Sequence, residues 1–178
     1  SNARAVCNHP RNLTDDMLKA IAARGGVVQV CLLSDYVKTF PPNPARDSAL
    51  KAWESRYPDY GSLDDANKAK ARAERRDIDQ QFPRPKATVS DLVDHIDHIV
   101  KVAGIDHVGV GSDFDGGGGL VDCQDVSEMW RITAELVKRG YTYEDLTKIW
   151  EEISYACGEP ISGNSHGPYR STVGIDVM

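Results

Sequence analysis

Two short valine-rich runs separated by helical patterns constrain the fold of this chain more than any other feature. They are GVVQVCLL at residues 26–33 and IDHVGVGSD at residues 105–113. The first is almost continuously apolar, which is typical of a strand covered on both faces of a parallel sheet, and the second has the same valine-rich centre. Amphipathic helical patterns alternate with these runs, so the order of elements predicts an α/β fold.

Four segments have the apolar spacing of amphipathic helices. Residues 88–103 carry the strongest pattern, and Thr14 is the predicted N-cap of the first segment. Ser127 is the predicted cap of the third, and the last begins at Thr142, which has capping-box spacing to Asp145. Two strands cannot cover four helices, so we expect part of a larger domain, most simply the last part of an α/β barrel. A complete barrel takes about 250 residues, so we expect the rest upstream.

Residues 38–87 differ in character from the rest of the chain. They hold most of the prolines and the charged cluster DDANKAKARAERRD at residues 64–77. The cluster has no apolar stripe, which favours a solvated helix over a binding surface. We therefore interpret this segment as an insertion and assign it no chemistry.

The composition limits the classes of partner. The chain has 178 residues, of which 40% are hydrophobic and 27% charged, and this predicts a globular protein with a packed core. A net charge of −6 argues against nucleic acid. No apolar run approaches the roughly 20 residues that cross a bilayer, so we expect a soluble protein with no membrane partner. Small molecules or proteins are the expected partners.

The stretch HVGVGSDFDGGGGL at residues 107–120 carries the candidate chemistry. Asp113 lies at the predicted C-terminal end of the second strand, where the active sites of α/β barrels are found. If strand geometry continues, Asp113 and Asp115 point to opposite sides, and Asp113 is better placed to face the barrel axis. The four glycines would let the backbone approach a ligand closely. A plain Asp-Gly turn without chemistry is the alternative.

Histidine and arginine side chains provide weaker candidates. His95 and His98 have a spacing that could serve a metal, but their helix should lie outside the barrel, which favours structural roles. His9 lies in the first loop without a partner that would define a site. Arg11 shares that loop and could hold a substrate carboxylate through two hydrogen bonds, or it could be an ordinary surface arginine.

Four segments together resemble a known family. They are RAVCNHPRNLTDDMLK, GGVVQVCLLSDYV, DLVDHIDHIVKVAGIDHVGVGSDFDGGGG and ITAELVKRGYTYEDLTKIW. They are similar to the C-terminal part of the membrane (renal) dipeptidase family, in its bacterial form with the Pro-rich insertion, over residues 1–150. The resemblance implies a zinc-dependent dipeptidase on a distorted (β/α)8 TIM barrel related to the amidohydrolases, of which this chain would hold an incomplete part. Two zinc ions would polarise the scissile carbonyl and supply hydroxide.

The resemblance also implies roles for individual residues. Asp113 matches the acid beside the metal pair that handles the proton, Arg11 matches the arginine that holds the dipeptide, and Tyr36 matches a pocket tyrosine. The glycine run would form part of the rim over the substrate. The family's metal ligands lie upstream of this chain, and the last of them would immediately precede Ser1 because SNA continues its motif. The same three letters could instead be a cloning remnant. We therefore expect two zinc ions in the full-length protein, no zinc ligand in this chain, and no activity from this fragment alone.

The sequence after Trp150 departs from the family. The family continues with Gly-Gly-Asn, whereas this chain has EEISYA. Loss of one G from the codons after the tryptophan codon would produce this change. Our hypothesis is that residues 151–178 form a divergent, out-of-frame tail, and we expect poor packing there.

Two other functions and several properties stay open at this point. The chain could be a non-catalytic barrel remnant that acts as a binding or scaffold module. It could also belong to another amidohydrolase-like metal hydrolase, in which Asp113 keeps its role and Arg11 need not hold a carboxylate. Open strand edges favour self-association into a homo-oligomer. The sequence leaves the compartment open between bacterial cytoplasm and periplasm, and leaves the preferred dipeptide undefined.

Overall fold

The computed structural model of the chain describes residues 1–151, so the predicted out-of-frame tail lies almost wholly outside the described residues. The α-helices are α1 (Asp15–Ala22), α2 (Ser34–Val37), α3 (Pro44–Arg56), α4 (Asp65–Gln81), α5 (Val89–Ala103), α6 (Trp130–Lys138) and α7 (Tyr143–Glu151). The strands are β1 (Val28–Val30) and β2 (Val108–Val110), and short 3-10 turns cover Tyr60–Ser62, Ile105–His107 and Val126–Glu128. This order confirms the predicted alternation of helices and strands.

The two strands pair in parallel, as the valine-rich runs predicted. Val28 lies opposite Val108, and Val30 lies opposite Val110. Both strands are shorter than the predicted runs, and in the second run residues 105–107 form a 3-10 turn instead of extended backbone. After the strands, pairing continues through single hydrogen bonds, including one of 3.0 Å from the Leu32 amide to the Ser112 carbonyl. The segments that follow β1 and β2 therefore run side by side.

Helix α5 organises the core. Leu92, Ile96 and Ile99 are fully buried on one face, as their helical spacing predicted. The helix starts at a capping box between Thr88 and Asp91, and it stops at a glycine with a φ of 100°. It contacts β1 and β2 on one side and α1 and α6 on others. The apolar stripe of α5 thus joins the sheet to the surrounding helices.

The start of α6 corrects one sequence prediction. Ser127 does not cap the helix: it lies in a 3-10 turn, and α6 begins at Trp130. Asp125 caps this turn instead, because its carboxylate accepts hydrogen bonds from both the amide and the hydroxyl of Ser127. The capping box of α7 is confirmed, since the amides of Thr142 and Asp145 each bond to the other side chain.

The Pro-rich insertion consists largely of two helices packed against each other. The Trp53 indole of α3 donates a 2.9 Å hydrogen bond to the Ala71 carbonyl of α4. Arg46 is almost fully buried and bonds to Asp79 at 2.6 Å and to the Phe82 carbonyl at 2.9 Å. On α4 only Ala71 is buried, which confirms the prediction of a largely solvated helix. Within residues 1–151, every helix is too short or too polar to cross a membrane.

A charged cluster around Arg139 joins α5 to α6. Its guanidinium bonds to Asp94 and Asp97 of α5 at 2.7 and 2.6 Å, and to Glu135 of α6 at 3.0 Å. It also donates to the Ser90 carbonyl at 2.7 Å. Burial alone would lower the pKa of Arg139, but these hydrogen-bonded carboxylates raise it above its ordinary value. The arginine therefore stays charged at the junction of the two helices.

Replacing Arg139 by methionine is expected to lower the free energy of unfolding by about 1.5–3 kcal/mol, because charge-assisted hydrogen bonds are lost and three carboxylates then face one another. Urea unfolding of the purified chain measures this. Arg24→Met is the matched control, since within the described residues the Arg24 side chain makes a single hydrogen bond, of 3.5 Å to the Ala20 carbonyl. Equal unfolding curves for the two variants would contradict the structural importance of the cluster.

Candidate active site

The candidate active site lies at the carboxyl ends of the two strands. Helix α2 follows β1, and the turn with Asp113 follows β2. The two segments are held together because the Gly119 amide donates a 2.8 Å hydrogen bond to the Leu32 carbonyl, and Leu33 pairs with Gly119. Parallel pairing thus places the segment with Tyr36 and the segment with Asp113 at one edge of the sheet.

The first loop is fixed to this edge by two buried asparagines. The Asn2 side chain bonds to both the amide and the carbonyl of Cys31, at 2.8 and 3.0 Å, and so mimics a paired strand. The Asn12 amide group donates to the carbonyls of Cys7 and Tyr36 at 2.9 and 2.8 Å, and its oxygen accepts from the Asn2 amide. Sequence reasoning missed both residues, because single asparagines in an aperiodic loop give no distinguishing signal.

Arg11 and Tyr36, the predicted substrate-binding residues, lie on either side of His9. The backbone amide of Arg11 donates a 3.2 Å hydrogen bond to His9 Nδ1. The His9 ring lies 4.4 Å from the Tyr36 ring, centroid to centroid. The Arg11 side chain is exposed, whereas His9 and Tyr36 are half-buried. The structure therefore brings the loop of Arg11 and the helix of Tyr36 into direct contact through a histidine to which the sequence assigned no role.

Asp113 occupies an unusual backbone conformation. Its φ is 66°, in the left-handed region, and its side chain is exposed. The strand geometry assumed for Asp113 and Asp115 does not persist, because β2 ends at Val110 and residues 114–117 form a turn. The condition under which the two acids would point to opposite sides of a strand is therefore not met. The Asp113 carbonyl accepts amide bonds from Gly116 at 3.1 Å and Gly118 at 2.7 Å, which close the turn.

The glycine run is explained by contacts inside this turn. A Cβ on Gly118 would lie 2.6 Å from the Asp113 carbonyl oxygen and 2.7 Å from that of Ser112. A Cβ on Gly116 would overlap the Asp113 carboxylate. Gly117 and Gly119 have φ values of 95° and 139°, which other residues rarely adopt. Gly117, Gly118 and Gly119 are thus restricted by the turn that presents Asp113, whereas a Cβ at Gly116 would require only the Asp113 side chain to move. A role at the substrate rim stays a prediction.

Replacing Gly118 by alanine is expected to lower the free energy of unfolding by about 1–3 kcal/mol, because the new methyl group meets two backbone oxygens that cannot move independently. Thermal or urea unfolding of the purified chain tests this. Gly61→Ala is the control, since its nearest contact would be an ordinary 3.8 Å from Asp59. A Gly118→Ala protein as stable as the control would refute the steric explanation.

Three histidines of the described chain are hydrogen-bonded within the structure, two to backbone groups and one to a side chain of α1. His95 lies between the Ala3 amide and the Val37 carbonyl, and His107 Nδ1 lies 2.9 Å from the Gly26 carbonyl. His98 Nε2 lies 2.7 Å from an oxygen of Asp15. This agrees with the preference for structural roles of His95 and His98 over metal binding.

The two charged candidate side chains, Arg11 and Asp113, are accessible to a ligand. Within residues 1–151, neither Arg11 nor Asp113 takes part in an ion pair. The same residues contain no group of three or more His, Cys, Asp or Glu side chains arranged to hold a metal ion. The described part of the chain thus offers an exposed carboxylate and an exposed guanidinium, but its donor set does not fit a metal pair.

Comparisons with known proteins identify the family of the chain. The family model described as membrane dipeptidase (peptidase family M19) matches residues 1–153. Dipeptidase ataJ of Aspergillus terreus is 33% identical over 150 residues, which are 84% of this chain and 26% of that protein. Dipeptidase aclJ of Aspergillus oryzae is 29% identical over 150 residues, with the same coverage of 84% and 26%. The chain thus spans about a quarter of the length of the curated relatives it matches.

Solved structures give the same result. The probable dipeptidase PvdM from Pseudomonas aeruginosa has a TM-score of 0.65 and 33% identity, and the match covers 88% of this chain and 42% of that one. A metallo peptidase from Rhodobacter sphaeroides, solved with a phosphinate mimic of the dipeptide L-Ala-D-Ala, has a TM-score of 0.58 and 25% identity, over 87% of this chain and 33% of that one.

The structure places Asp113 just after β2 and brings the loop of Arg11 against the helix that follows β1, at the strand ends where α/β barrels carry their active sites. The chain is a member of the membrane dipeptidase family, peptidase family M19. The family assignment made from the four sequence segments is therefore confirmed, and with it membership of a family of metallo-dipeptidases.

Proposed function

We propose that this chain forms the substrate-holding and proton-transfer part of a zinc-dependent dipeptidase with a distorted (β/α)8 barrel. The observation that supports this most is the meeting of three segments at one edge of the sheet. The loop of Arg11 contacts the helix of Tyr36 through His9, and the turn of Asp113 lies alongside that helix's N-terminal end. A dipeptide is the substrate class that the family membership supports.

Each residue has a role that its chemistry allows. The Arg11 guanidinium binds the terminal carboxylate of the dipeptide through two parallel hydrogen bonds. Tyr36 lines the pocket beside it. Asp113 accepts a proton from the attacking water as its oxygen bonds to the carbonyl carbon, and returns that proton to the amide nitrogen as the C–N bond breaks, so that the new amine leaves neutral. The exposure of Asp113 and Arg11 leaves both groups accessible to a substrate.

The proposed zinc ions need ligands that residues 1–151 do not provide. Since residues 1–151 contain no cluster of three metal-binding side chains, the two zinc ions would be held by residues outside this stretch. When bound, they would supply a metal-activated hydroxide at neutral pH. The chain alone is accordingly proposed to be inactive.

The test compares two proteins expressed side by side. One is the longest reading frame that contains these residues, and the other is the present 178-residue chain. We expect the longer protein to hydrolyse dipeptides, a chelator to abolish turnover, and added zinc to restore it. We expect no hydrolysis from the shorter chain. Zinc-dependent turnover by the shorter chain would disprove its inactivity, and chelator-resistant hydrolysis by the longer protein would disprove the metal requirement.

A further inference from the structure

Buried polar side chains of the described chain concentrate beneath the candidate site. Within residues 1–151 the buried polar or charged residues are Asn2, Asn12, Arg46 and His95. Arg46 stabilises the insertion, whereas the other three bond to segments at the carboxyl edge of the sheet. Buried polar groups are costly unless they are hydrogen-bonded, so their position at this edge needs a specific reason.

His95 connects two segments that are far apart in sequence. Its Nδ1 accepts a 3.1 Å hydrogen bond from the Ala3 amide, and its Nε2 lies 2.8 Å from the Val37 carbonyl. The ring is fully buried on α5. Because Nδ1 faces an amide N–H and Nε2 faces a carbonyl oxygen, the only tautomer that satisfies both is the neutral ring with its proton on Nε2. Burial lowers the pKa of His95, which favours this neutral form.

The two bonded segments carry the proposed substrate-binding residues. Ala3 lies at the base of the first loop, which is closed by a 2.8 Å bond from the Arg4 amide to the Leu13 carbonyl, and Arg11 is on this loop. Val37 is the last residue of α2 and follows Tyr36 directly. The buried imidazole therefore bonds to both the loop and the helix, which also contact each other through the His9 and Tyr36 rings.

We propose that His95 is a positioning residue that fixes the loop of Arg11 against the helix of Tyr36 and so sets the geometry in which the substrate is held. This inference rests on the proposed function of Arg11 and Tyr36. It goes beyond that function because it concerns a buried residue that would act through the segments of Arg11 and Tyr36 and not by contacting the substrate. Both of its ring nitrogens are already occupied by backbone groups.

Two substitutions each remove one of the two hydrogen bonds of the His95 ring and keep the other. In His95→Asn, the amide oxygen takes the place of Nδ1, which keeps the acceptor for Ala3 and removes the donor to Val37. In His95→Gln, the amide nitrogen takes the place of Nε2, which keeps the donor to Val37 and removes the acceptor for Ala3. His98→Gln is the matched control, because His98 is on the same helix and contacts α1 through Asp15.

The first measurement uses the 178-residue chain and does not depend on activity. We expect nuclear Overhauser contacts between the His9 and Tyr36 rings in the wild-type chain and in His98→Gln, and their loss or weakening in both His95 variants. Amide exchange should increase at the loop residues around Ala3 in His95→Gln and at the end of α2 in His95→Asn. If the ring contacts persist in every folded His95 variant, the proposal is overturned.

The second measurement uses the longer protein that contains the chain. We expect both His95 variants to raise the KM for dipeptides by about tenfold with kcat within about twofold, because displaced binding residues weaken substrate holding. His98→Gln should leave both constants unchanged. A wild-type protein without dipeptidase activity would disprove the proposed function and leave the ring-contact test to decide on His95. An active wild type with unchanged KM in the His95 variants would disprove the His95 role alone.

Discussion

Replacing Asp113 by asparagine is expected to reduce kcat for dipeptide hydrolysis by about 10²–10⁴-fold in the protein that contains this chain. Asparagine has nearly the same shape but cannot accept and return a proton near neutral pH. It also tolerates a positive φ better than most residues, so the left-handed backbone of Asp113, with φ of 66°, should persist. The loss would therefore reflect chemistry and not a collapsed turn.

Asp115→Asn provides the control for this experiment. Asp115 is exposed in the same turn, two residues away, so its substitution removes the same charge from nearly the same place. We expect its kcat to stay within about threefold of the wild type, as for a surface substitution away from the reacting atoms. Steady-state kinetics and urea unfolding of both variants complete the test. Equal losses in the two variants would point to a general charge effect and contradict a proton-transfer role for Asp113.

Replacing Arg11 by alanine is expected to raise KM about a hundredfold for dipeptides with a free terminal carboxylate. The Arg11 side chain is exposed, and the hydrogen bond that Arg11 makes to His9 uses its backbone amide. Alanine keeps that amide, so the loop should remain in place while the guanidinium is lost. The expected defect is therefore one of substrate binding.

Amidated dipeptides provide the matching substrate control for Arg11. The wild-type enzyme should bind them weakly, and Arg11→Ala should make little further difference, because the carboxylate that the guanidinium recognises is already missing. Measuring KM for both substrates with both proteins gives a complete double-mutant cycle. Unchanged kinetics of Arg11→Ala with free dipeptides would favour the other reading of the site, an amidohydrolase-like hydrolase whose substrate needs no carboxylate.

The order of elements could be predicted because it depends on local pattern. Residues 88–103 repeat apolar side chains with helical period, and Gly104 ends that helix as expected. The error at Ser127 arose because its amide and hydroxyl both donate to Asp125, which caps the 3-10 turn that precedes α6. Sequence spacing alone cannot decide whether a helix begins directly at a serine or only after such a turn.

The sequence indicated candidate residues for the site but could not predict how they are arranged. Asp113 was identified from its place after a strand, but its left-handed backbone depends on a turn closed by glycine amides. The partners of His95 are 92 and 58 residues away along the chain, so nothing near it in sequence indicates them. Such contacts follow from tertiary packing, which local periodicity does not contain.

The two ends of the Pro-rich insertion are held independently of what lies between them. Val37 is bonded to His95, and the backbone of Ala87 is bonded at both its amide and its carbonyl, to Ser34 and Val121. Lengthening a segment between fixed ends costs little, since loop entropy grows only with the logarithm of length. The insertion can therefore be shortened, extended or replaced while the residues at its two ends keep their positions. A new module could therefore be grafted beside the candidate active site between two attachment points that are already fixed.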